Sequence, residues 1–411
     1  MNIFQELKWR NFIYNKTKNI KNILYKNFII YIGYDPTNKY LHIGHLISFF
    51  LFKIFLKYYK NIKFIIIIGE YTTKINNTIN NNKIINNIKY IKKQIINIYK
   101  KIVNKNLKNL IILNNNKWIK KISLINFIKK ILKYINIKYL IYKKKKKKYF
   151  LKKNINFNKI IYPIIQSYDF LYLYKKYKCN FQIGGSDQWR NIILGIKFIK
   201  KTLKKNIYAL TFPLLTNNKN IKFSKSNKNF NIWLHKNKNI SYNIYQFFIN
   251  LNDKISINFI KYLSIINIKN IKYIIYIHKN FKKKYIQKFL SKIIINLIYS
   301  NKIYKYAKYL SKYFFKKNNN FLLLKSYKKY LIHNIKIIYI NKYNFLKKNF
   351  LKILSKKNNI SKKKIKYFFN KKYIKFNNNT YKKFIKRLLY LKYRYIICNI
   401  NKKLYFLIKI I

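Results

Sequence analysis

The hydrophobic pattern of the first seventy residues predicts two buried strands joined by a helix. Residues 28–32 and 64–68 are continuous apolar runs, and each is followed directly by a glycine. Short apolar runs that end at turn residues are typical of strands buried on both faces of a parallel sheet. Between them, residues 46–59 carry apolar side chains at helical spacing. The order strand, turn, helix, strand is that of a βαβ unit, which predicts an α/β nucleotide-binding sheet.

The pattern changes twice further along the chain. From about residue 235 to 330, apolar segments are interrupted by Lys and Asn without Gly or Pro, which favours helices. The last seventy residues instead predict short helices followed by strands, at 345–354, 361–369, 393–398 and 404–408. We therefore place boundaries near residues 230 and 335. The predicted domains are residues 1–230, 231–335 and 336–411.

Composition changes this picture in one respect, the charge. Lys and Arg total 93 against six Asp and Glu, a net charge of +87, and such a surface attracts nucleic acid with little selectivity. The commonest residues are those encoded by A and T alone, so the base composition of the gene explains much of this charge. The lysine run at 143–148 is interpreted in the same way, as a solvated loop rather than a dedicated RNA or targeting patch. With 50% hydrophobic residues, the chain has enough apolar material to fold.

The cysteines and the absence of long apolar segments indicate where in the cell the protein is expected. Cys179 and Cys398 match no metal-binding spacing, which predicts two unpaired thiols in a reducing environment. The first ten residues contain no apolar signal-peptide core, and no stretch approaches the ~20 apolar residues of a membrane span. We expect a cytoplasmic protein without a membrane segment.

Four ordered motifs carry candidate chemistry. The string His42-Ile43-Gly44-His45 follows the first predicted strand and turn and opens a helix, a position that favours phosphate. Two histidines alone could also be a metal pair. The neighbouring motifs decide between a phosphate site and a metal site. The four motifs occupy residues 31–45, 162–170, 182–189 and 222–226. Together they resemble the signatures of class I aminoacyl-tRNA synthetases, specifically the bacterial-type tyrosyl-tRNA synthetases.

This resemblance extends over essentially the whole chain and implies a fold and an activity. The implied fold is α/β: a Rossmann-like parallel-sheet catalytic domain, then a helical anticodon-binding domain, then a small α+β RNA-binding domain of the S4 type. The implied activity is tyrosine-tRNA ligase, which activates tyrosine with ATP and transfers it to the 3′-terminal adenosine of tRNA(Tyr). The partners are tyrosine, ATP, tRNA(Tyr) and a second copy of the chain. The implied dimer contact is an inserted segment at about residues 115–180.

The resemblance also implies a tyrosine pocket. A phenol hydroxyl can be satisfied by one carboxylate and one hydroxyl, and the matching residues are Asp169 and Tyr31. Phenylalanine would leave both unpaired, at a cost in free energy. Tyr162 and Gln166 match positions that bind the substrate ammonium. The full set of implied tyrosine-binding residues is Tyr31, Asp35, Asn77, Tyr162, Gln166, Asp169, Gln182 and Gln188.

For ATP, the resemblance implies residues that hold phosphates and ribose. No protein nucleophile is needed, because the tyrosine carboxylate attacks the α-phosphate, so catalysis rests on positioning and charge stabilisation. The implied catalytic residues are Thr37, His42, His45, Lys222 and Lys225. The implied ATP-binding residues are Gly33, Gly44, Gly185, Asp187, Lys222, Phe223, Ser224, Lys225 and Ser226. For Asp187, an alternative role is that of a helix N-cap. We expect Mg²⁺ to arrive with ATP and no protein-bound metal.

Two residues depart from the family pattern, and two alternative functions are weighed separately. Asn77 stands where the family has an aspartate, so an acceptor remains without its charge, and His235 stands where an acidic residue is common. One alternative is an RNA-binding protein on a catalytically idle synthetase scaffold, which the intact motifs disfavour. The other is a sister synthetase for tryptophan, which the pairing of Tyr31 with Asp169 disfavours.

Overall fold

A computed structural model gives the fold of thirteen stretches of the chain. These are residues 1–23, 28–76, 79–135, 158–216, 232–235, 241–281, 284–315, 337–346, 349–358, 361–376, 380–381, 395–400 and 404–410. The chain divides into two compact units. The first comprises Met1–Asn239 with Phe247–Ile298, and the second comprises Ile240–Gln246 with Tyr299–Ile411.

The first unit is built on a six-stranded sheet. Its strands are β1 (Asn15–Lys16), β2 (Ile29–Tyr34), β3 (Lys63–Ile68), β4 (Leu110–Asn114), β5 (Phe181–Gly185) and β6 (Tyr208–Phe212). They lie in the order β1-β6-β5-β2-β3-β4. All neighbouring pairs are parallel except β1 with β6. This is a parallel-dominated α/β sheet of the Rossmann type, as the sequence predicts.

Helices surround this sheet and continue beyond it. Those of the sheet region are α1 (Ile3–Trp9), α2 (Ile20–Ile23), α3 (Leu46–Tyr58), α4 (Glu70–Asn76), α5 (Asn81–Ile102), α6 (Asn116–Ile119), α7 (Leu124–Lys130), α8 (Asn158–Tyr177) and α9 (Trp189–Leu203). They are followed by α10 (Ser241–Ile249), α11 (Asp253–Tyr262), α12 (Ile268–Asn280) and α13 (Tyr285–Ile298). The helices predicted for the region after residue 235 are thus confirmed over its described part.

The first predicted βαβ unit is confirmed, with one correction. Strand β3 ends just before Gly69 and α3 begins at Leu46, as the apolar pattern predicts. The prediction that Gly33 ends the first strand is wrong, because Gly33 lies inside β2 and pairs with Ile67 of β3. A glycine can continue a strand wherever its backbone hydrogen bonds are made, so the residue type alone does not mark the end.

The strand order creates a crevice at one edge of the sheet. The chain runs outward from β2 to β3 and β4, then returns to β5 on the other side of β2. Helices therefore leave the carboxyl ends of β2 and β5 in opposite directions, which is the position where open α/β sheets bind ligands. Tyr31 of β2 pairs with Gln182 of β5, so their side chains are brought together at this point.

The second unit contains a four-stranded sheet with a separate core. Its elements are α14 (Asn301–Phe315), β7 (Ile337–Ile340), α15 (Lys342–Leu346), α16 (Phe350–Asn358), α17 (Lys362–Asn370), β8 (Ile374–Phe376), β9 (Tyr395–Ile400) and β10 (Leu404–Ile410). The strand order is β7-β10-β9-β8. The buried side chains include Phe345, Phe350, Ile365, Phe376 and Ile396.

This α+β arrangement agrees with the predicted class of the C-terminal region but corrects details. The predicted helix over 345–354 is wrong in its extent: α15 ends at Leu346 and α16 begins at Phe350. The two predicted strands are confirmed as β9 and β10. No helix in the part of the chain that the structure describes is long and apolar enough to cross a bilayer.

Candidate functional site

A cavity of about 530 Å³ lies where the carboxyl ends of β2 and β5 meet. Strand β2 supplies Tyr31 and Gly33, and strand β5 supplies Gln182 and Gly185. Most of the predicted site residues line this one cavity. They are Tyr31, Gly33, Asp35, His42, Gly44, His45, Tyr162, Gln166, Asp169, Gln182, Gly185, Asp187 and Gln188.

Three predicted site residues come from one face of helix α8. Tyr162, Gln166 and Asp169 are separated by four and three positions, and this spacing places side chains on the same face of a helix. All three line the cavity. The helix thus presents a hydroxyl, an amide and a carboxylate to the same space.

The deep end of the cavity holds a buried carboxylate beside a buried phenol. Trp118 Nε1 donates to Asp169 Oδ1 at 2.8 Å, and Asn115 Nδ2 donates to Asp169 Oδ2 at 3.1 Å. Burial raises the pKa of Asp169 to about 7, although these two hydrogen bonds act in the opposite direction. The two donors fix the carboxylate while leaving it lone pairs for a further donor.

Tyr31 is the unsatisfied group next to this carboxylate. Its side chain is 1% exposed, and its hydroxyl has no hydrogen-bond partner among the described residues. Burial, and then the charge of Asp169, raise the pKa of Tyr31 well above its ordinary value, so the hydroxyl keeps its proton. An unpaired buried hydroxyl costs free energy, and a ligand that supplies a partner recovers it.

A second carboxylate lies just past the end of β2. Tyr162 donates its hydroxyl to Asp35 Oδ2 at 2.8 Å, and Thr72 Oγ1 donates to Asp35 Oδ1 at 3.0 Å. Burial, and then the charge of Asp35, raise the pKa of Tyr162, which therefore stays protonated. This acceptor-rich end of the cavity suits a cationic group of a ligand.

Amide side chains form the wall between helices α8 and α9. Asn191 Nδ2 donates to Gln166 Oε1 at 3.1 Å and to Gln188 Oε1 at 3.2 Å. Both predicted glutamines are thus oriented by a residue that the sequence motifs do not single out. Gln182, on β5, is 3% exposed and faces the same cavity.

The two histidines are held by hydrogen bonds within their own loop. His42 Nδ1 accepts the Gly44 N–H at 3.1 Å, and His45 Nδ1 accepts the His42 N–H at 3.1 Å. A neutral His42 ring whose Nδ1 accepts carries its proton on Nε2. His45 Nδ1 also lies 3.2 Å from the carbonyl oxygen of His42, to which it donates in its other tautomer. Gly44 is required here because a Cβ atom would lie 2.8 Å from His42 Cε1.

Gly185 is the last residue of β5, and Asp187 lies in the turn that follows. Gly185 is the N-cap of a short 3-10 helix, Ser186–Gln188, and a Cβ atom on it would lie 2.7 Å from Asp187 Oδ1. The alternative role of Asp187 as a helix N-cap is therefore wrong, since Asp187 lies inside this turn and faces the cavity.

Other predicted residues are not placed in the cavity. Thr37 is described but does not line it. His235 stacks on Tyr40 with ring centroids 4.1 Å apart. The predicted residues Asn77, Lys222, Phe223, Ser224, Lys225 and Ser226 lie outside the described residues.

The motifs missed Asn115, Trp118, Thr72 and Asn191. A signal for the first two exists, because both follow the carboxyl end of β4, where side chains of a parallel sheet reach its ligand-binding edge. Among the described residues, no three His, Cys, Asp or Glu side chains come together as a metal site.

The fold and this site define a class of protein. Residues 25–316 match the sequence model of the family described as class I tRNA synthetases (W and Y), and the chain belongs to this family. The resemblance to tyrosyl-tRNA synthetases is confirmed by the curated relatives. The tyrosine-tRNA ligase of Mycoplasma mycoides is 35% identical over 297 residues, which is 69% of each chain. That of Aster yellows witches'-broom phytoplasma is 34% identical over 321 residues, or 74% of each chain.

Solved structures agree on the fold. A C-terminally truncated mitochondrial tyrosyl-tRNA synthetase of Coccidioides posadasii superposes with a TM-score of 0.63 at 23% identity, over 75% of this chain and 91% of that one. The corresponding enzyme of Aspergillus nidulans gives 0.64 at 20% identity, over 76% and 93%.

Proposed function

We propose that this chain is a tyrosine-tRNA ligase, which forms tyrosyl-adenylate from tyrosine and ATP and passes the tyrosyl group to the 3′-terminal adenosine of tRNA(Tyr). The observation that carries the proposal is the Tyr31 hydroxyl, which has no hydrogen-bond partner among the described residues and lies beside the buried Asp169 carboxylate. A substrate phenol satisfies both groups at once, because its oxygen accepts from Tyr31 and its hydrogen is donated to Asp169.

The same pair disfavours other aromatic substrates. Phenylalanine brings neither a donor nor an acceptor, so both groups would stay unpaired. The indole of tryptophan brings a donor for Asp169 but no acceptor for Tyr31. The geometry therefore favours tyrosine over the other substrate of this family.

The remaining tyrosine contacts follow from the acceptor-rich end of the cavity. We assign Asp35, Tyr162 and Gln166 to the substrate ammonium, with Gln182 and Gln188 as further polar contacts. Asn77 is proposed for the same group on the basis of its motif alone.

For ATP, we assign the imidazoles of His42 and His45 to the phosphates. Gly33, Gly44 and Gly185 let the nucleotide approach the backbone, and Asp187 accepts from the ribose hydroxyls. Thr37 and the motif residues Lys222, Phe223, Ser224, Lys225 and Ser226 are proposed to contact ATP, with both lysines on the leaving pyrophosphate. Mg²⁺ is proposed to come with ATP.

The reaction then needs no nucleophile from the protein. The tyrosine carboxylate attacks the α-phosphate, an oxygen–phosphorus bond forms, and pyrophosphate leaves with its electron pair. The protein holds the two substrates in line and supplies donors where negative charge accumulates. The His42 and His45 imidazoles, which line the cavity, suit that role.

We also propose a homodimer through the segment at about residues 115–180. Helix α7, inside this segment, buries none of its side chains in the described chain. Leu124, Ile125 and Ile128 are 73%, 65% and 48% exposed. An apolar patch of this kind on one helix is typical of an interface.

The proposed domain roles and location rest on the sequence. Residues 1–230 form the catalytic domain, 231–335 the anticodon-binding domain and 336–411 the S4-like RNA-binding domain. A cytoplasmic location is supported by Cys179 and Cys398, both of which are buried free thiols.

Amino-acid-dependent exchange of pyrophosphate into ATP tests this proposal. The purified chain should catalyse exchange with tyrosine, and much more slowly with phenylalanine or tryptophan. Exchange that depends on tryptophan instead, or on no amino acid, would reject it.

A further inference from the structure

A buried glutamine on helix α5 joins two segments that are distant in the sequence. Gln94 is 8% exposed. The N–H of Leu41 donates to Gln94 Oε1 at 2.8 Å, and Gln94 Nε2 donates to the carbonyl of Leu234 at 2.9 Å. One side chain thus contacts the backbone just before His42 and the backbone after the 222–226 motif.

These two segments are also paired with each other. The N–H of Ile43 donates to the carbonyl of Ile232 at 2.9 Å, and the N–H of Leu234 donates to the carbonyl of Leu41 at 2.7 Å. His42 and Trp233 face each other in an antiparallel bridge. Residues 41–43, residues 232–234 and the Gln94 amide form a single unit with four hydrogen bonds, which we call the Gln94 clamp.

Only a glutamine side chain satisfies both ends of the clamp. Leu41 offers a donor and Leu234 an acceptor, so the amide must present its oxygen to one and its amino group to the other. An ionised glutamate of the same shape accepts from Leu41 but has no hydrogen for Leu234, and only the protonated form could donate to that carbonyl. An asparagine is one methylene shorter and cannot span the same gap.

The Gln94 clamp lies next to His42, one of the proposed phosphate-binding residues. Leu41 and Ile43 flank His42, whose imidazole lines the cavity, and Ile232 follows Ser226 by six residues in the sequence. We infer that Gln94 is a positioning residue, which fixes residues 232–234 against the loop of residues 41–43 and so sets the position of His42. This inference rests on the proposed function, which assigns His42 to the phosphates of ATP.

A positioning role predicts a specific kinetic pattern. The proposed contacts of tyrosine, around Tyr31 and Asp169, do not include residues of the clamp. The donors toward ATP must be in place when charge develops on the phosphates, and small displacements there are expensive. Loss of the clamp should therefore reduce kcat and spare tyrosine binding.

The test is Gln94→Glu in the full chain, measured by tyrosine-dependent ATP–pyrophosphate exchange. The variant keeps the acceptor for Leu41 and sets a carboxylate oxygen against the Leu234 carbonyl. We expect kcat to fall by about tenfold to a hundredfold, the effect of one unsatisfied buried acceptor, while the KM for tyrosine changes less than about twofold. Asn97→Asp is the matched control, because it places the same charge on the exposed face of α5 and should have wild-type kinetics.

A second variant and a direct measurement separate positioning from a general loss of structure. Gln94→Met removes both hydrogen bonds without adding a charge and should show the same selective loss of kcat. Amide hydrogen exchange at Ile43 and Leu234 should be faster in both variants and unchanged in Asn97→Asp.

Three outcomes would overturn the inference. Wild-type kcat in both Gln94 variants would show that the clamp does not serve catalysis. A tyrosine KM that rises in parallel with the loss of kcat would show a merely structural role. If the wild-type chain itself shows no tyrosine-dependent exchange, the proposed function fails and the inference fails with it.

Discussion

Removing the Tyr31 hydroxyl should make the free protein more stable and its tyrosine binding weaker. In Tyr31→Phe, the ring keeps its packing against Phe170, with ring centroids 4.9 Å apart in the native protein, and only a buried hydroxyl is lost. That hydroxyl has no partner among the described residues, so burying it costs about 1–3 kcal/mol. Without it, the free energy of unfolding should rise by a similar amount.

The free energy that Tyr31→Phe gains in folding should be lost in substrate binding. In the native protein, bound tyrosine gives the Tyr31 hydroxyl an acceptor and recovers its desolvation cost. Tyr31→Phe has no hydroxyl to satisfy and cannot recover this free energy on binding. Its affinity for tyrosine should therefore fall by about 1–3 kcal/mol, a factor of about 5 to 150. The tyrosine-bound states of the two proteins should then be nearly equal in stability.

Two measurements check this prediction. Urea unfolding of the ligand-free proteins gives the change in midpoint, and pyrophosphate exchange at varied tyrosine gives the change in KM. Tyr99→Phe is the matched control, because the Tyr99 hydroxyl is also buried without a partner among the described residues but lies on α5, outside the cavity lining. It should stabilise the protein and leave the KM unchanged. A lower unfolding midpoint in Tyr31→Phe, or an unchanged KM, would refute the reasoning.

Three further predictions concern pH, the C-terminal region and the dimer. Because burial raises the pKa of Asp169 to about 7, tyrosine binding should weaken as pH falls through 7 and the acceptor is protonated. In Trp118→Phe the inflection in the KM for tyrosine should move to higher pH, since one hydrogen bond that lowers this pKa is lost. Truncation after about residue 335 should preserve pyrophosphate exchange but give poor tRNA charging with a shallower salt dependence, as fewer phosphates are contacted. The double variant Leu124→Lys, Ile125→Lys should sediment as a monomer if α7 forms the proposed interface, and a dimer of unchanged affinity would contradict that assignment.

The sequence predicts the residues at the ligand-binding edge of the sheet well, because the motifs there directly follow predicted strands. Apolar runs give β2 and β3, and the residues just after parallel strands must meet at one edge of the sheet. Asp35 and Gly185 are found together for this reason, although 150 residues separate them in the sequence.

Contacts that depend on tertiary packing are not visible in the same way. Asn115 and Trp118 follow the carboxyl end of β4, but nothing in the sequence shows that their side chains hold Asp169. The break between α15 and α16 is similarly hidden, because the apolar spacing from Phe345 to Phe350 is compatible with one helix. Such details are set by the core into which both phenylalanines pack.

The most direct test of the central claim compares tyrosine and phenylalanine in Asp169→Ala. The claim is that the pair of Tyr31 and Asp169 selects the phenol, so the variant should lose tyrosine-dependent exchange by a factor that corresponds to about 1–3 kcal/mol in kcat/KM. Phenylalanine makes no hydrogen bond to Asp169, and its exchange should fall far less. Equal losses for the two amino acids would show that Asp169 is a structural residue and would contradict the claim.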